Sequence, residues 1–301
     1  MVTFVCMMAL MIMFAFTVLY RVDYVKNKNS FMAIDDTVFL RGFWCIVVIL
    51  VHVPIEYQNI FQDLIGSFAF IGVTFFFMTS AYGLKYSIKY KSGYINNFWR
   101  KRLPPILIPA LLANIFSVLA YQMNNITSNI TVFTVLNIDN WVKVLILYYI
   151  IFWLVYKWGV KLISNEKWLD ALVVFIVFIF SLVDCLTEYK VTSIWIVEPL
   201  GFAYGIIAAR FVERIKKVIA EKYILLFIGF GFLSLGAGVA YLKFKTVVFI
   251  GSYCLKVVLG ISITIFIFLV IAKLRLGNKI NSFLSDISYE VYGKHLTRQC
   301  I

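Results

Sequence analysis

Apolar residues are grouped along the chain in long blocks that short polar stretches separate. We identify ten blocks, at about residues 2–20, 38–55, 64–84, 104–121, 141–158, 168–186, 193–212, 223–242, 246–272 and 285–301. A helix needs about 20 apolar residues to cross the hydrocarbon core of a bilayer. The run at 173–180 shows none of the alternation expected of a membrane barrel strand. The pattern predicts an all-α polytopic bundle of about ten transmembrane helices, forming a single domain over residues 1–301.

Composition supports a membrane protein. Of the 301 residues, 62% are hydrophobic and only 14% are charged. A soluble domain of this length cannot bury so much apolar surface in one core. The net charge of +13 is also a feature of nucleic-acid-binding proteins. Here the basic residues lie between the apolar blocks and not along one stripe, so we expect no nucleic acid partner.

The distribution of lysine and arginine predicts the orientation. Counting residues at the block edges, the linkers after the first, third, fifth, seventh and ninth blocks hold twenty basic residues, against four in the alternate linkers. Cytoplasmic loops carry such an excess. We therefore predict a multi-pass protein of the cell membrane, with its basic loops in the cytoplasm and its N-terminus outside.

The cysteines suggest neither a metal site nor a redox motif. Cys6, Cys45, Cys185, Cys254 and Cys300 form no Cys-x-x-Cys pair. Most lie in apolar runs, where cysteine behaves as a small hydrophobic residue. We expect no metal and no bound cofactor.

Ionisable residues inside an apolar block are costly and mark candidate functional sites. The second block contains Arg41 and His52, and Asp35 and Asp36 precede it as candidate N-cap groups. Eleven residues of α-helix make three turns plus about 20°, so Arg41 and His52 lie on one face, about 16 Å apart along the axis. A cation and a titratable base so placed fit a substrate held across the membrane. Alternatively, Arg41 snorkels to lipid headgroups and His52 only hydrogen-bonds a neighbouring helix.

We single out three further ionisable residues within the apolar blocks. His295 falls about 15 Å into the last block and is either a second functional imidazole or a polar packing contact. Glu198 and Lys256 must each face the bundle interior, water or a partner. They can pair with each other, although the sequence does not show it.

Two further features lie at the end of the third block and in the loop after it. Ser80 and Gly83 are small enough to let two helices approach closely. The loop ends in Phe-Trp-Arg-Lys-Arg-Leu at 98–103, where Arg100 and Arg102 can hold phosphate groups. The same basic cluster can also simply obey the positive-inside rule.

Four short motifs occur in a definite order. They are Leu-Arg-Gly at 40–42 in the helix that leads to His52, Phe-Phe-x-x-Ser at 76–80, the basic motif at 98–103, and Ile-Ser-Tyr-x-x-Tyr at 287–292. On a chain of about ten spans they resemble the acyltransferase family 3 membrane proteins, over about residues 35–296. The block at 1–20 is then an extra N-terminal span. Ala81 stands where the family usually has glycine.

This resemblance implies a membrane-bound acyltransferase domain of the polysaccharide O-acetylase type. Such a protein moves an acyl group, usually acetyl, from cytoplasmic acyl-CoA to a hydroxyl of an extracytoplasmic glycan or related acceptor. Arg41 and His52 match the family's functional pair, with His52 as general base or transient acyl acceptor and Arg41 orienting donor or acceptor. The implied partners are the lipid bilayer, acyl-CoA and the hydroxyl acceptor.

The resemblance also assigns candidate binding residues. Arg100 and Arg102 match the family's basic motif and are the expected contacts on the CoA side. His295 matches a histidine common at the start of the family's last helix. With Ser80 of the Phe-Phe-x-x-Ser motif, it completes the expected substrate or donor contacts.

Other functions fit part of the same pattern. A transporter or flippase of an anionic or lipid-linked glycan would use Arg41, Glu198 and Lys256 to line its path. A receptor or scaffold explains neither histidine. The chain stops at Ile301, six residues past His295, so we expect a truncated last span, and an inactive fragment of the acyltransferase is a further alternative.

Overall fold

The structure, a computed structural model, describes residues 2–25, 28, 31–51, 59–123, 140–188, 196–276, 279 and 283, nearly all of them helical. The helices are α1 (Val2–Leu19), α2 (Ile34–Val51), α3 (Ile60–Phe68), α4 (Phe70–Tyr90), α5 (Phe98–Arg102), α6 (Pro104–Met123), α7 (Asn140–Leu154), α8 (Glu166–Glu188), α9 (Leu200–Arg210), α10 (Val212–Phe244) and α11 (Lys256–Ile271). Shorter elements are a 3₁₀ turn (Tyr94–Asn97), π-helical segments (Val155–Gly159 and Ile250–Leu255), a helical turn (Val160–Leu162) and strands β1 (Asp23–Tyr24) and β2 (Leu274–Arg275).

The helical class is confirmed, and helices make up most of the described residues in the first nine predicted blocks. Among the described residues, five helical stretches are long and apolar enough to cross a membrane: Ile60–Tyr90, Asn140–Leu162, Glu166–Thr187, Val212–Phe244 and Ile250–Ile271. Shorter apolar helices lie at Phe4–Leu19 and Leu200–Arg210. The block at 285–301 lies outside the described residues, and the count of about ten spans stays a prediction.

The chain forms two compact units. Of the described residues, those within 1–86 and 174–285 form the first unit, and those within 87–173 form the second. Each is described below by itself.

A two-stranded antiparallel sheet in the first unit joins two distant linkers. Asp23 pairs with Arg275, and Tyr24 pairs with Leu274. The linker between α1 and α2 therefore lies at the same end of this unit as the end of α11. Both linkers are basic, and the sequence assigns both to the cytoplasmic side.

The core of the first unit is rich in large apolar side chains from α2, α4 and α11. Its buried members include Phe39, Leu40, Trp44, Ile71, Phe75, Met78, Leu259 and Phe268. Rings from different helices meet there, as the centroids of Phe75 and Phe268 lie 6.3 Å apart. This packing encloses the middle of α2.

Helix α10 is interrupted at Lys222. That residue has non-helical torsion angles (φ −123°, ψ 26°) within a continuous run of 33 residues. At 1.5 Å per residue the run is about 50 Å long, more than the thickness of the hydrocarbon core. The part after the kink, 223–244, coincides with the predicted block, and the basic part before it, 212–221, extends beyond that block.

The second unit is held together by aromatic packing and hydrogen bonds between its loop and both α7 and the π-helical segment that follows α7. Phe98 of α5 stacks on Phe152 of α7, with ring centroids 6.1 Å apart. The indole of Trp153 donates to the carbonyl oxygen of Ile95 at 3.3 Å. Lys157 donates to the side chain of Asn96 at 2.8 Å. The loop that carries the basic motif is thus fixed against α7.

Candidate functional site

Arg41 lies in the eighth position of α2, and its side chain is half-buried. Its neighbours Leu40 and Trp44 are buried in the core of the first unit, 3% and 5% exposed. The guanidinium therefore projects from a helix whose surroundings are mainly apolar. A cation in partly dry surroundings interacts strongly with an anion or a polarised carbonyl group.

Two of the predicted site residues, His52 and His295, lie outside the described residues. Helix α2 is described as far as Val51, the residue before His52. The prediction that Arg41 and His52 share one helix face assumed an α-helix between them. The chain is helical from Arg41 to Val51, in agreement with that assumption. The face itself, and the distance from Arg41 to His52, stay predictions.

A buried amide pair close to the end of α2 was missed by the sequence analysis. The Gln62 side-chain nitrogen donates to the carbonyl oxygen of Leu50 at 3.4 Å, and the Asn59 amide donates to Gln62 Oε1 at 2.9 Å. Asn59 also caps α3, because its Oδ1 accepts from the backbone N–H groups of Phe61 and Gln62. The Asn-x-x-Gln spacing is a helix-start signal that could have predicted this cap.

The two predicted donor-binding arginines point in different directions. Arg100 is exposed, whereas Arg102 is buried and only 6% exposed. Residues two apart on an α-helix differ by about 200°, so they occupy nearly opposite faces of the five-residue α5. Arg100 is available at the surface, and Arg102 is part of the interior of the second unit.

Arg102 is held by two residues that the sequence analysis did not select. Its Nε donates to the Tyr94 hydroxyl, and its Nη2 lies 3.4 Å from Ser87 Oγ. The guanidinium carbon also lies 5.5 Å from the centre of the Tyr94 ring. Burial raises the pKa of Tyr94, although the charge of Arg102 acts in the opposite direction. The phenol is therefore neutral near physiological pH.

Ser80 lies half-buried on α4, but the close helix contact occurs beside it. A Cβ atom at Gly83 would have open space around it among the described residues. Ala81 is fully buried, and a Cβ at Gly205 of α9 would lie 2.8 Å from Ala81 Cβ and 2.2 Å from the carbonyl oxygen of Met78. The alanine that stands in place of the family's usual glycine is therefore accommodated by a glycine on the facing helix.

Glu198 and Lys256 form a buried ion pair in the first unit. Lys256 Nζ lies 2.6 Å from Glu198 Oε1, and their side chains are 8% and 0% exposed. The backbone N–H of Val197 donates to the other carboxylate oxygen at 3.1 Å, and the ammonium group lies 4.8 Å from the centre of the Phe70 ring. The carboxylate and the ammonium group thus have several partners within the apolar interior.

The comparisons with known proteins identify the family. Residues 33–297 match the sequence model of the acyltransferase domain of acyltransferase family 3. The chain belongs to acyltransferase family 3. No curated protein matches the chain, and no solved structure does. The matched region of this acyltransferase covers most of the chain and includes Arg41, His52, Arg100, Arg102 and His295, whereas α1, β1 and Lys28 precede it.

Proposed function

We propose that this membrane acyltransferase transfers an acyl group, usually acetyl, from cytoplasmic acyl-CoA to a hydroxyl of an extracytoplasmic glycan or related acceptor. The observation that carries the proposal is the family match over residues 33–297. The matched region includes Arg41 of α2 and His52, which follows the described end of that helix. The half-buried position of Arg41 in an apolar helix supports a role on a charged or polarised group.

In the proposed reaction, His52 acts as general base and takes the proton of the acceptor hydroxyl. The hydroxyl oxygen forms a bond to the thioester carbonyl carbon, and the carbon–sulfur bond breaks. The CoA sulfur leaves as a thiolate and takes up a proton. Alternatively, the acyl group passes through the His52 imidazole before it reaches the acceptor. In both routes Arg41 orients the donor or acceptor and stabilises negative charge at the carbonyl oxygen.

The basic motif supplies the proposed donor contacts. Acyl-CoA carries several phosphate groups, and arginine pairs with phosphate through parallel hydrogen bonds. Arg100 is exposed, which supports a direct contact with a donor in water. Arg102 would contribute from within its cluster with Tyr94 and Ser87. Ser80 and His295 remain further proposed contacts.

A transport function has less support. It would use Glu198 and Lys256 to line a path for an anionic substrate. Both residues are buried and contact each other at 2.6 Å. A path along them would require separation of two charges in a low-dielectric interior, which is costly.

The test is CoA release from acetyl-CoA by the purified full chain in lipid nanodiscs, with a crude glycan extract as acceptor source. We expect release by the wild type and a loss of about a hundredfold or more in His52→Ala. Lys217→Met, which alters an exposed lysine of α10, is the matched control and keeps the wild-type rate. Equal release by the wild type and His52→Ala contradicts the assigned base, and uptake of glycan into vesicles without CoA release supports transport.

A further inference from the structure

The segment that precedes the family match is attached to the matched region. The match begins at residue 33, and the described residues before it include α1, β1 and Lys28. Strand β1 pairs with β2, and the N–H of Val25 extends the pairing by donating to the carbonyl oxygen of Lys273 at 2.9 Å. The ring of Phe31 lies 5.2 Å from that of Phe268 on α11. The segment is thus connected to the end of α11 by backbone and side-chain contacts.

Lys28 links the start of α2 to the end of α11. Its Nζ lies 2.5 Å from Asp36 Oδ1, and it donates to the carbonyl oxygens of Ile271 at 2.9 Å and Leu274 at 2.8 Å. The Asp36 side chain is 4% exposed and that of Lys28 is 19% exposed. The last carbonyl groups of a helix carry partial negative charge. Lys28 therefore neutralises a carboxylate and two carbonyl groups that would otherwise repel one another.

The same segment contacts α2 a second time, on the other side of Arg41 along the chain. Phe14 of α1 lies against Phe43, with ring centroids 5.1 Å apart. Asp36 precedes Arg41 by five residues, about 7.5 Å along the helix axis, and Phe43 follows it by two. Arg41 thus lies between two positions on α2 that contact the N-terminal segment.

We propose that the N-terminal segment positions Arg41 for the reaction, and that Lys28 is its principal positioning residue. The role of Arg41 in this inference rests on the proposed function. The physical basis is independent of it. Without the ammonium group, the attraction that Lys28 provides between Asp36 and the carbonyl oxygens of Ile271, the last residue of α11, and Leu274 of β2 would be lost, and the start of α2 would move away from them. A displacement of about 1 Å at a positioning group can lower a rate up to a hundredfold.

The first experiment is a double-mutant cycle on CoA release, expressed per folded, monodisperse protein. Lys28→Met should lower kcat/KM for acetyl-CoA by about tenfold or more, whereas Lys28→Arg, which keeps the charge and the N–H donors, should stay close to the wild type. In an Arg41→Ala background, Lys28→Met should cause no further loss, because the two residues act through one group. Independent, additive losses would overturn the inference.

The second experiment needs no substrate. Amide hydrogen exchange in residues 37–43 should be faster in Lys28→Met than in the wild type and unchanged in Lys217→Met, which removes an exposed ion pair with Glu221. Unchanged exchange of α2 in Lys28→Met would overturn the inference. Absence of CoA release from the wild type would count against the proposed function, and the exchange result would then decide the inference alone.

Discussion

Lys256 Nζ lies 2.6 Å from Glu198 Oε1, within an apolar helical unit and 58 residues apart in the chain. A buried charge is tolerated when it is paired and hydrogen-bonded, and the N–H of Val197 and the face of Phe70 provide further partners. The pair joins the turn before α9 to the first residue of α11. Because both charges are desolvated, removal of either partner should strongly lower the stability of the fold.

We predict that loss of one member of this pair destabilises the protein much more than loss of both. Lys256→Met leaves the Glu198 carboxylate buried without its cation, at a cost of about 3–5 kcal/mol. The double variant Glu198→Gln with Lys256→Met removes both charges and should recover most of this loss. The apparent melting temperature of purified protein in detergent measures the difference. Equal destabilisation by the single and double variants would show that the charges are not coupled.

The contact between α9 and α4 gives a prediction that is tested on α9 and has its control on α4. Gly205→Ala places a Cβ 2.2 Å from the carbonyl oxygen of Met78, so the helices must separate. We expect a loss of about 1–3 kcal/mol and less folded protein after solubilisation. Gly83→Ala adds a Cβ in open space and should be tolerated. If fluorescence-detected size exclusion gives the same folded fraction for both variants, the close packing at Gly205 is not required.

The sequence predicted the helices well because the bilayer imposes a length on apolar segments. The four-motif order predicted the family correctly. The kink at Lys222 has no proline or glycine to mark it. The sequence allowed Glu198 to pair with Lys256 but did not select this pairing over the alternatives. The selection depends on how helices that are distant in the chain pack together.

The side-chain directions in the basic motif could be predicted in part from the sequence. The opposite faces of Arg100 and Arg102 follow from the helical repeat alone, once α5 is known to be a helix. The partners of Arg102 could not be predicted, because Tyr94 lies in a 3₁₀ turn and Ser87 lies near the end of α4. The contact of Ala81 with Gly205 likewise needs the packing of two helices. His52 and His295, the residues with the greatest chemical interest, lie outside the described residues.

Arg41 should be sensitive to the shape of its cation as well as to its charge. We predict that Arg41→Ala lowers kcat/KM for acetyl-CoA by about a hundredfold, as expected for loss of one group that stabilises developing charge. Arg41→Lys should restore only part of the activity, because an ammonium group cannot form paired parallel hydrogen bonds. Arg214→Ala, at an exposed position near the start of α10, is the control. Full activity of Arg41→Lys would indicate that charge alone is needed.

Substitution of Arg100 should alter the KM for acetyl-CoA, whereas substitution of Arg102 should alter the folded fraction. Arg100 is exposed, so Arg100→Ala should raise the KM for acetyl-CoA severalfold and leave the folded fraction unchanged. The KM of the wild type should also rise with salt, and that of Arg100→Ala should rise less, since ions screen exposed charges within about 10 Å at 0.1 M. Steady-state CoA release at several salt concentrations measures both effects.

Arg102→Ala should instead reduce the folded fraction, because it removes a buried side chain that contacts the hydroxyl groups of Tyr94 and Ser87. A buried polar group that loses its partner costs about 1–3 kcal/mol. Tyr94→Phe removes one contact from the other side and should reproduce part of the loss in stability. A rise in KM on Arg102→Ala without loss of folded protein would mean that the buried arginine meets the donor directly. Loss of folded protein without a change in KM would mean that Arg102 acts by stabilising the loop that carries Arg100.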